Sequence, residues 1–467
     1  MDIDMIADFS QPILHPFQSL QLSASSLDFG VEFASNKTPG QLAEDINRII
    51  KLHENHKIER FRLHFRPLDI FVSDINNWIE FAVAKGVQVL ELDFSMGFDK
   101  PNYQFDKGTS FRLPESLYRC NSITQLSLSH CNFHPPLDFI SFPALQSLSL
   151  TCVNIRAHVL ETMITNSPQL YSLSLVNSSW VDMDESIKVL AQELRRLAII
   201  ECWFMGIEIC APKLQSFIFY GEYYFGSQYR LDESSNVNVP MLEDAFISSY
   251  NMESSEPVHD YILLLSDIRH VKILTVCSAT QLRFHYYQFE ELLPLSLLNL
   301  RELQLLGIYC FESFCSFLKL CHFPILEKLF IQIVWIPGAL SDDHKQLEDV
   351  PEFAEVVFSH LRVIKVSNFV GTNLEMSVVR LLLQRAVCLE NLVLVTPKSS
   401  ESIRRLNGAA AEEAFPGPNT SFMSLQHQIS VLPKASPKAN VILVKFEEDD
   451  LAFVPTHQKY YNWYDLA

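Results

Sequence analysis

Glycine is scarce in this chain, thirteen residues in 467, and the sequence has no Gly-rich phosphate loop and no Gly-x-Ser-x-Gly elbow. Nucleotide chemistry and hydrolase chemistry of the kinds that depend on those turns are therefore excluded. The ten cysteines include no Cys-x-x-Cys pair, and the Cys310, Cys315 and Cys321 series has spacings that match no common zinc module. Free, mostly buried thiols are expected. His53-Glu54-Asn55-His56 places two residues between its histidines where a zinc-protease helix needs three, so it reads as a solvated loop. Basic side chains are also in short supply, 36 against 55 acidic ones, for a net charge of −19. Such a surface repels phosphate backbones and anionic membranes, which removes both from the expected partners. Nothing in the sequence calls for a metal or cofactor or points to an enzyme.

Long apolar runs are missing as well: no run of about 18 apolar residues without charge occurs, and the N-terminus, Met1 to Asp8, is acidic where a secretory signal needs Lys or Arg. A cytoplasmic or nuclear protein is expected. What the chain has in abundance is apolar material, 48% of its residues against 19% charged, enough for an extensive core. That material is periodic. One pattern, apolar-x-x-apolar-x-apolar, recurs about thirteen times. Its clearest copies start at Ile123, Leu145, Leu170, Leu194, Leu300, Leu326, Leu361 and Leu389, and weaker ones at Ile58, Val87, Leu214, Leu242 and Val271.

The mean step between copies is roughly 28 residues, a leucine-rich-repeat length. In each copy the fourth and sixth positions lie on one face of a strand. One unit buries three or four large side chains at ~2 kcal/mol each, while ordering each of its residues costs ~1.5 kcal/mol. A single repeat therefore cannot fold, and stacking is required. Connectors with helical spacing, Val159 to Ile164 and Val378 to Leu383, supply a convex wall, and proline two residues before the repeat leucine at positions 143, 168, 212, 240 and 324 is expected to end helices there. The predicted fold is α/β, a leucine-rich-repeat solenoid with a curved parallel sheet on its concave face and helices and loops on its convex face. Its expected bounds are 41–396, after an atypical segment 1–40 and before a polar, partly disordered tail 397–467, in which Val441 to Phe446 could add a last strand.

Several segments resemble the plant F-box and leucine-rich-repeat proteins that often end in an FBD region. Ile58 to Leu63 is similar to that family's first repeat strand, Trp78 to Leu92 to its tryptophan-marked helix and second strand, and Phe111 to Leu128 to the next module. His360 to Leu392 resembles the FBD-type C-terminal repeats. The resemblance implies repeats that recruit a protein target. In the family an N-terminal F-box adds a Skp-type adaptor and a cullin ubiquitin ligase, but Met1 to Leu52 departs from that pattern, having neither Leu-Pro nor tryptophan. The leading expectation is a non-enzymatic protein-recognition module. The alternatives are the substrate-recognition subunit of a cullin ubiquitin ligase, if an F-box is supplied, and a small-molecule receptor.

On the concave face the early strands present small hydroxylated residues, Ser127, Ser149 and Ser174 among them, while later strands present larger ones. Contact with a protein target is therefore expected at Arg196, Tyr220, Tyr223, Tyr224, Gln304, Lys328 and Phe330. Phe217 and Phe219 hold inward positions and belong to the core. The acidic connector Ser341 to Glu352 reads as a surface loop.

Overall fold

The computed structural model describes residues 25–54, 57–96, 111–180, 186–202, 206–221, 237–248, 264–277, 295–308, 314, 317–319, 321–333, 357–398, 422–449 and 453–460. They fall into two compact units. The first holds the described residues up to Leu194 together with Glu201 and Cys202, and the second holds Arg195–Ile200 and the described residues from Gly206 onward.

In the first unit the principal strands are β1 (Ser26–Phe29), β2 (Arg60–His64), β3 (Val89–Asp93), β4 (Gln125–Ser129), β5 (Ser147–Thr151) and β6 (Ser172–Val176). They pair in chain order, and every pair is parallel. The second unit continues the pattern with β7 (Arg196–Ile200), β8 (Ser216–Tyr220), β9 (Asp244–Ser248), β10 (Ile273–Cys277) and β11 (Glu302–Ile308). It ends with β12 (Lys328–Ile333), β13 (Val363–Ser367), β14 (Asn391–Val395) and β15 (Asn440–Val444), again parallel and in order. Parallel neighbours joined by crossovers are the signature of stacked leucine-rich repeats.

All thirteen repeat copies become strands, each strand opening two residues after the first apolar position. None of those first positions, from Ile58 to Leu389, is more than 2% exposed. Two strands lie beyond the expected bounds. Ahead of residue 41, β1 pairs with β2, and past residue 396, β15 pairs with β14 at the site expected for a last strand.

The prolines act differently from the expectation. The Leu145, Leu170, Leu214, Leu242 and Leu326 amides donate to the carbonyls of Phe142, Ser167, Ala211, Val239 and Phe323, three residues back. Each proline thus sits second in a tight turn, where its fixed φ is already correct. Pro168 comes three residues after a helix, α4 below.

Strand ends in the first unit share a second device. His130, Cys152 and Asn177, each directly after a strand, have φ of 57°, 51° and 44°, and the His130 and Cys152 amides still donate to the next strand's carbonyls. This left-handed residue turns the chain sharply while keeping one ladder bond. Directly beyond it, Cys131–Asn132 joins Phe111–Arg112, Asn154–Ile155 and Ser179–Trp180 in a small second sheet.

The described helices include α1 (Val31–Ala34), α2 (Pro39–Leu52), α3 (Val72–Ala84), α4 (Ala157–Thr165), α5 (Asn373–Arg385) and α6 (Phe422–Ser430). The Thr38 hydroxyl and Gln41 cap α2 reciprocally, with Pro39 at its first position, and Thr372 with Glu375 does the same for α5. Trp78 of α3 is buried edge-on against Phe65 and donates from Nε1 to Asn47 Oδ1 of α2 at 2.7 Å. His53, expected in a solvated loop, is instead the buried C-cap of α2, edge-on to Phe81 at 5.8 Å, because α3 packs beside it. No described helix is long and apolar enough to cross a membrane.

Of the cysteines described, Cys120, Cys131, Cys152, Cys202, Cys277 and Cys321 are buried, Cys210 is half-buried and Cys388 is exposed. Burial pushes the thiols of Cys131 and Cys321 far above their ordinary range and that of Cys152 up to about 11, which keeps them protonated and unreactive. Cys310 and Cys315, like residues 341–352, lie outside the described residues.

Candidate functional site

The strand face turned away from the connectors differs between the two units. In the first, buried and partly exposed residues alternate along β3, β4, β5 and β6, so one face packs inward and the other is open. The middle row of that open face runs in register through Asp28, Arg62, Glu91, Ser127, Ser149 and Ser174. At one end, Arg62 Nε lies 3.3 Å from Glu91 Oε2 and its Nη1 lies 3.8 Å from Asp28 Oδ2, while Arg60 Nε lies 3.8 Å from Glu91 Oε1. These pairs are half-exposed, contribute little to stability and are free to exchange partners. Gln125, Ser147 and Ser172 flank the serine row on one side, and Ser129, Thr151 and Val176 flank it on the other. A field of small hydroxyls can both donate and accept, and it leaves room for a partner's side chains.

The rim of this face carries a polar cluster. His64 Nδ1 is 3.0 Å from Asp93 Oδ2, and the Ser95 amide donates to Asp93 Oδ1 at 3.0 Å. Burial alone would raise the Asp93 carboxyl, but the His64 and Ser95 hydrogen bonds hold it well below the usual carboxylate range. Ser129 Oγ lies 2.8 Å from His130 Nδ1, and burial lowers the His130 imidazole.

In the second unit the alternation is lost. From β8 to β14, excepting the opening residue or two and the last residue of some strands, both faces are buried. The equivalent row there reads Ala198, Ile218, Phe246, Thr275, Gln304, Phe330, Lys365, Val393 and Ile442. Across β9 to β13 it is crossed by the chain's own C-terminal segment, residues 446–449 and 453–460. Lys365 Nζ donates to Asp449 Oδ2 at 2.7 Å, to Asp449 Oδ1 at 2.9 Å and to the Phe453 carbonyl at 3.2 Å. The Thr456 amide donates to Glu302 Oε1 at 2.8 Å, an oxygen that Gln304 Nε2 also reaches at 2.7 Å. His457 places Nδ1 2.8 Å from Thr275 Oγ1 and Nε2 3.0 Å from Asp244 Oδ1, with its ring edge-on to Phe246. A carboxylate only accepts, so Nε2 is the donor in that contact.

The residues expected to meet a target are distributed accordingly. Arg196 is exposed at the start of β7, and Lys328 is exposed on β12 with Nζ 3.5 Å from Glu302 Oε2. Tyr220 is 2% exposed, Gln304 0% and Phe330 3%, so all three are buried rather than presented to solvent. Tyr223 and Tyr224 lie outside the described residues, while Phe217 and Phe219 are core as expected. Asp449, Thr456 and His457 were not anticipated: their partners are 84 to 213 positions away and the segment carries no repeat. One signal was present, since Phe246 and Phe330 stand in the row where the first unit has serine, and apolar residues on both faces of a strand call for a cover.

Comparison with known proteins agrees with this architecture. Residues 49–432 match the family described as At1g61320/AtMIF1, LRR domain. The chain is 27% identical over 384 residues to the putative F-box/LRR-repeat protein At5g54820 of Arabidopsis thaliana, covering 76% of this chain and 77% of that protein. It is 23% identical over 423 residues to the F-box/FBD/LRR-repeat protein At1g13570 of the same plant, covering 86% and 84% respectively. The repeat-by-repeat strand register and the family match over most of the length agree, and the chain belongs to the At1g61320/AtMIF1-type leucine-rich-repeat domain family of plant F-box/LRR and FBD proteins.

Proposed function

We propose that this chain is a non-enzymatic recognition module that binds a protein target on the open sheet face of its first unit. The observation that carries this reading is the alternation of buried and accessible residues on β3 to β6, which leaves a continuous polar row from Arg62 and Glu91 through Ser127, Ser149 and Ser174. Solvated on one face and packed on the other, such a row holds its backbone at fixed spacing, and the short serine side chains add little ordering cost on binding. Arg196 and Lys328 remain candidate contacts in the second unit. The test is cross-linking of a target co-purified with the full chain, followed by mapping of the linked residues. Links concentrated beside β2 to β6 agree with the reading, and links confined to the helical connectors contradict it.

A second reading, substrate recognition for a cullin ubiquitin ligase, is favoured by the relatives, whose names are F-box proteins and whose alignment spans most of both chains. Direct binding of a purified Skp-type adaptor to the purified chain tests it, with no binding counting against it.

A further inference from the structure

We propose that the face built by β9 to β13 is a peptide-binding groove, and that the segment seen at residues 446–449 and 453–460 is its intramolecular, displaceable occupant. This face is distinct from the open face of the first unit, so the two proposals stand or fall separately.

The occupant crosses the strands as a series of turns: Phe446–Glu448 and Gln458–Tyr460 are single 3-10 turns, and the Gln458 amide donates to the Pro455 carbonyl at 3.1 Å. Four strand intervals separate β9 from β13, about 19 Å at the usual strand spacing. Asp449 and His457 are eight steps apart in the chain, an upper reach of ~28 Å, so the span is covered without full extension. Contacts follow in order along the segment, with Asp449 and Phe453 on β13, Thr456 on β11, and His457 on β10 and β9. Polar side chains of the sheet, those of Lys365, Glu302, Thr275 and Asp244, make these bonds. A wall meant only for packing would bury apolar side chains here, whereas Glu302, Gln304 and Lys365 are buried polar groups whose hydrogen bonds run to the segment or to one another.

The occupant is lightly held. No strand pairing joins 446–449 or 453–460 to the sheet, and Phe446, Glu447, Glu448, Val454, Thr456 and Gln458 are exposed. Short segments with solvent-facing backbone and few buried side chains open far more readily than the sheet beneath them. The partner that displaces the segment carries the same chemistry: a peptide with a carboxylate for Lys365 and, about eight residues on, a hydrogen-bonding ring for Asp244 and Thr275. Its binding returns Gln304 and Phe330 to the role of contact residues.

The test uses full-length protein and a fluorescently labelled synthetic peptide of residues 446–460. Wild type is expected to bind the peptide weakly, because its groove is filled. The full-length variant Asp449→Ala with His457→Ala is expected to bind it at least tenfold tighter, and adding Lys365→Met is expected to abolish that gain. A folded double variant that binds no more tightly than wild type overturns the proposal. Should the double variant fail to fold, hydrogen exchange on wild type decides. Amides of Thr456 to Lys459 exchanging at least tenfold faster than those of β10 and β11 support a displaceable occupant, and exchange in step with the sheet overturns it.

Discussion

Lys365 on β13 and Asp449 in the C-terminal segment form a two-pronged ion pair at 2.7 and 2.9 Å, with side chains only 5% and 14% exposed. It bridges 84 positions of sequence and anchors one end of the segment that crosses β9 to β13. A charge in so dry a setting is tolerated because its counter-charge is fixed against it, and removing either partner leaves the other to find water. In a double-mutant cycle of Lys365→Met and Asp449→Ala, read by urea unfolding, the coupling is expected to be about 1–3 kcal/mol. A coupling near zero would show that the two side chains do not depend on each other.

Gly371 precedes the N-cap of α5 with φ of 84°, and a Cβ there would meet Leu425 of α6 within 3 Å. Gly86 also has positive φ, 69°, but a Cβ there would meet nothing within 4 Å. Alanine at Gly86 therefore incurs only backbone strain, of order 1 kcal/mol, while alanine at Gly371 adds a clash and should cost ~2 kcal/mol or more. Thermal melts of the two variants check the order, and equal losses would rule out the Leu425 contact as a constraint.

Glu375 caps α5 by accepting from the Val370, Gly371 and Thr372 amides, and it is 3% exposed. Burial pushes its carboxyl up to about 7 from an ordinary value of 4.5, although those amides pull the other way. A raised carboxyl means that the folded state holds the proton more tightly than the unfolded chain. The resulting stabilisation is complete below about pH 4.5 and is lost as pH rises through 7. Wild type should thus lose melting temperature relative to Glu375→Gln between pH 5 and pH 8. A constant difference across that range would contradict the assignment.

The fold was legible because each repeat states itself locally: an apolar first position, then two more on one strand face, as in Ile123, Leu126 and Leu128. The first strand escaped because its first position is Ala24, so only Leu27 and Phe29 mark it, whereas the last, with Lys438 at its first position, was legible only as the apolar cluster from Val441. The candidate site was half legible. Strand alternation correctly placed Ser127, Ser149 and Ser174 on an accessible face, but it also placed Gln304 and Phe330 there. Periodicity tells which face a residue occupies and says nothing about what lies over that face. The cover comes from Asp449, Thr456 and His457, whose contacts obey no repeat and are created only when the stack brings β9 to β13 side by side.

The most direct test of the recognition reading is to crowd the open row. Arginine at Ser127, Ser149 and Ser174 together fills the hydroxyl field while leaving Leu126, Leu128, Leu148, Leu150, Leu173 and Leu175 in the core. Binding of a co-purified target, measured against wild type and against the control Gln426→Arg on α6, is expected to fall at least tenfold in the triple variant and to stay unchanged in the control. A folded triple variant that holds its target as tightly as wild type would contradict recognition by this face.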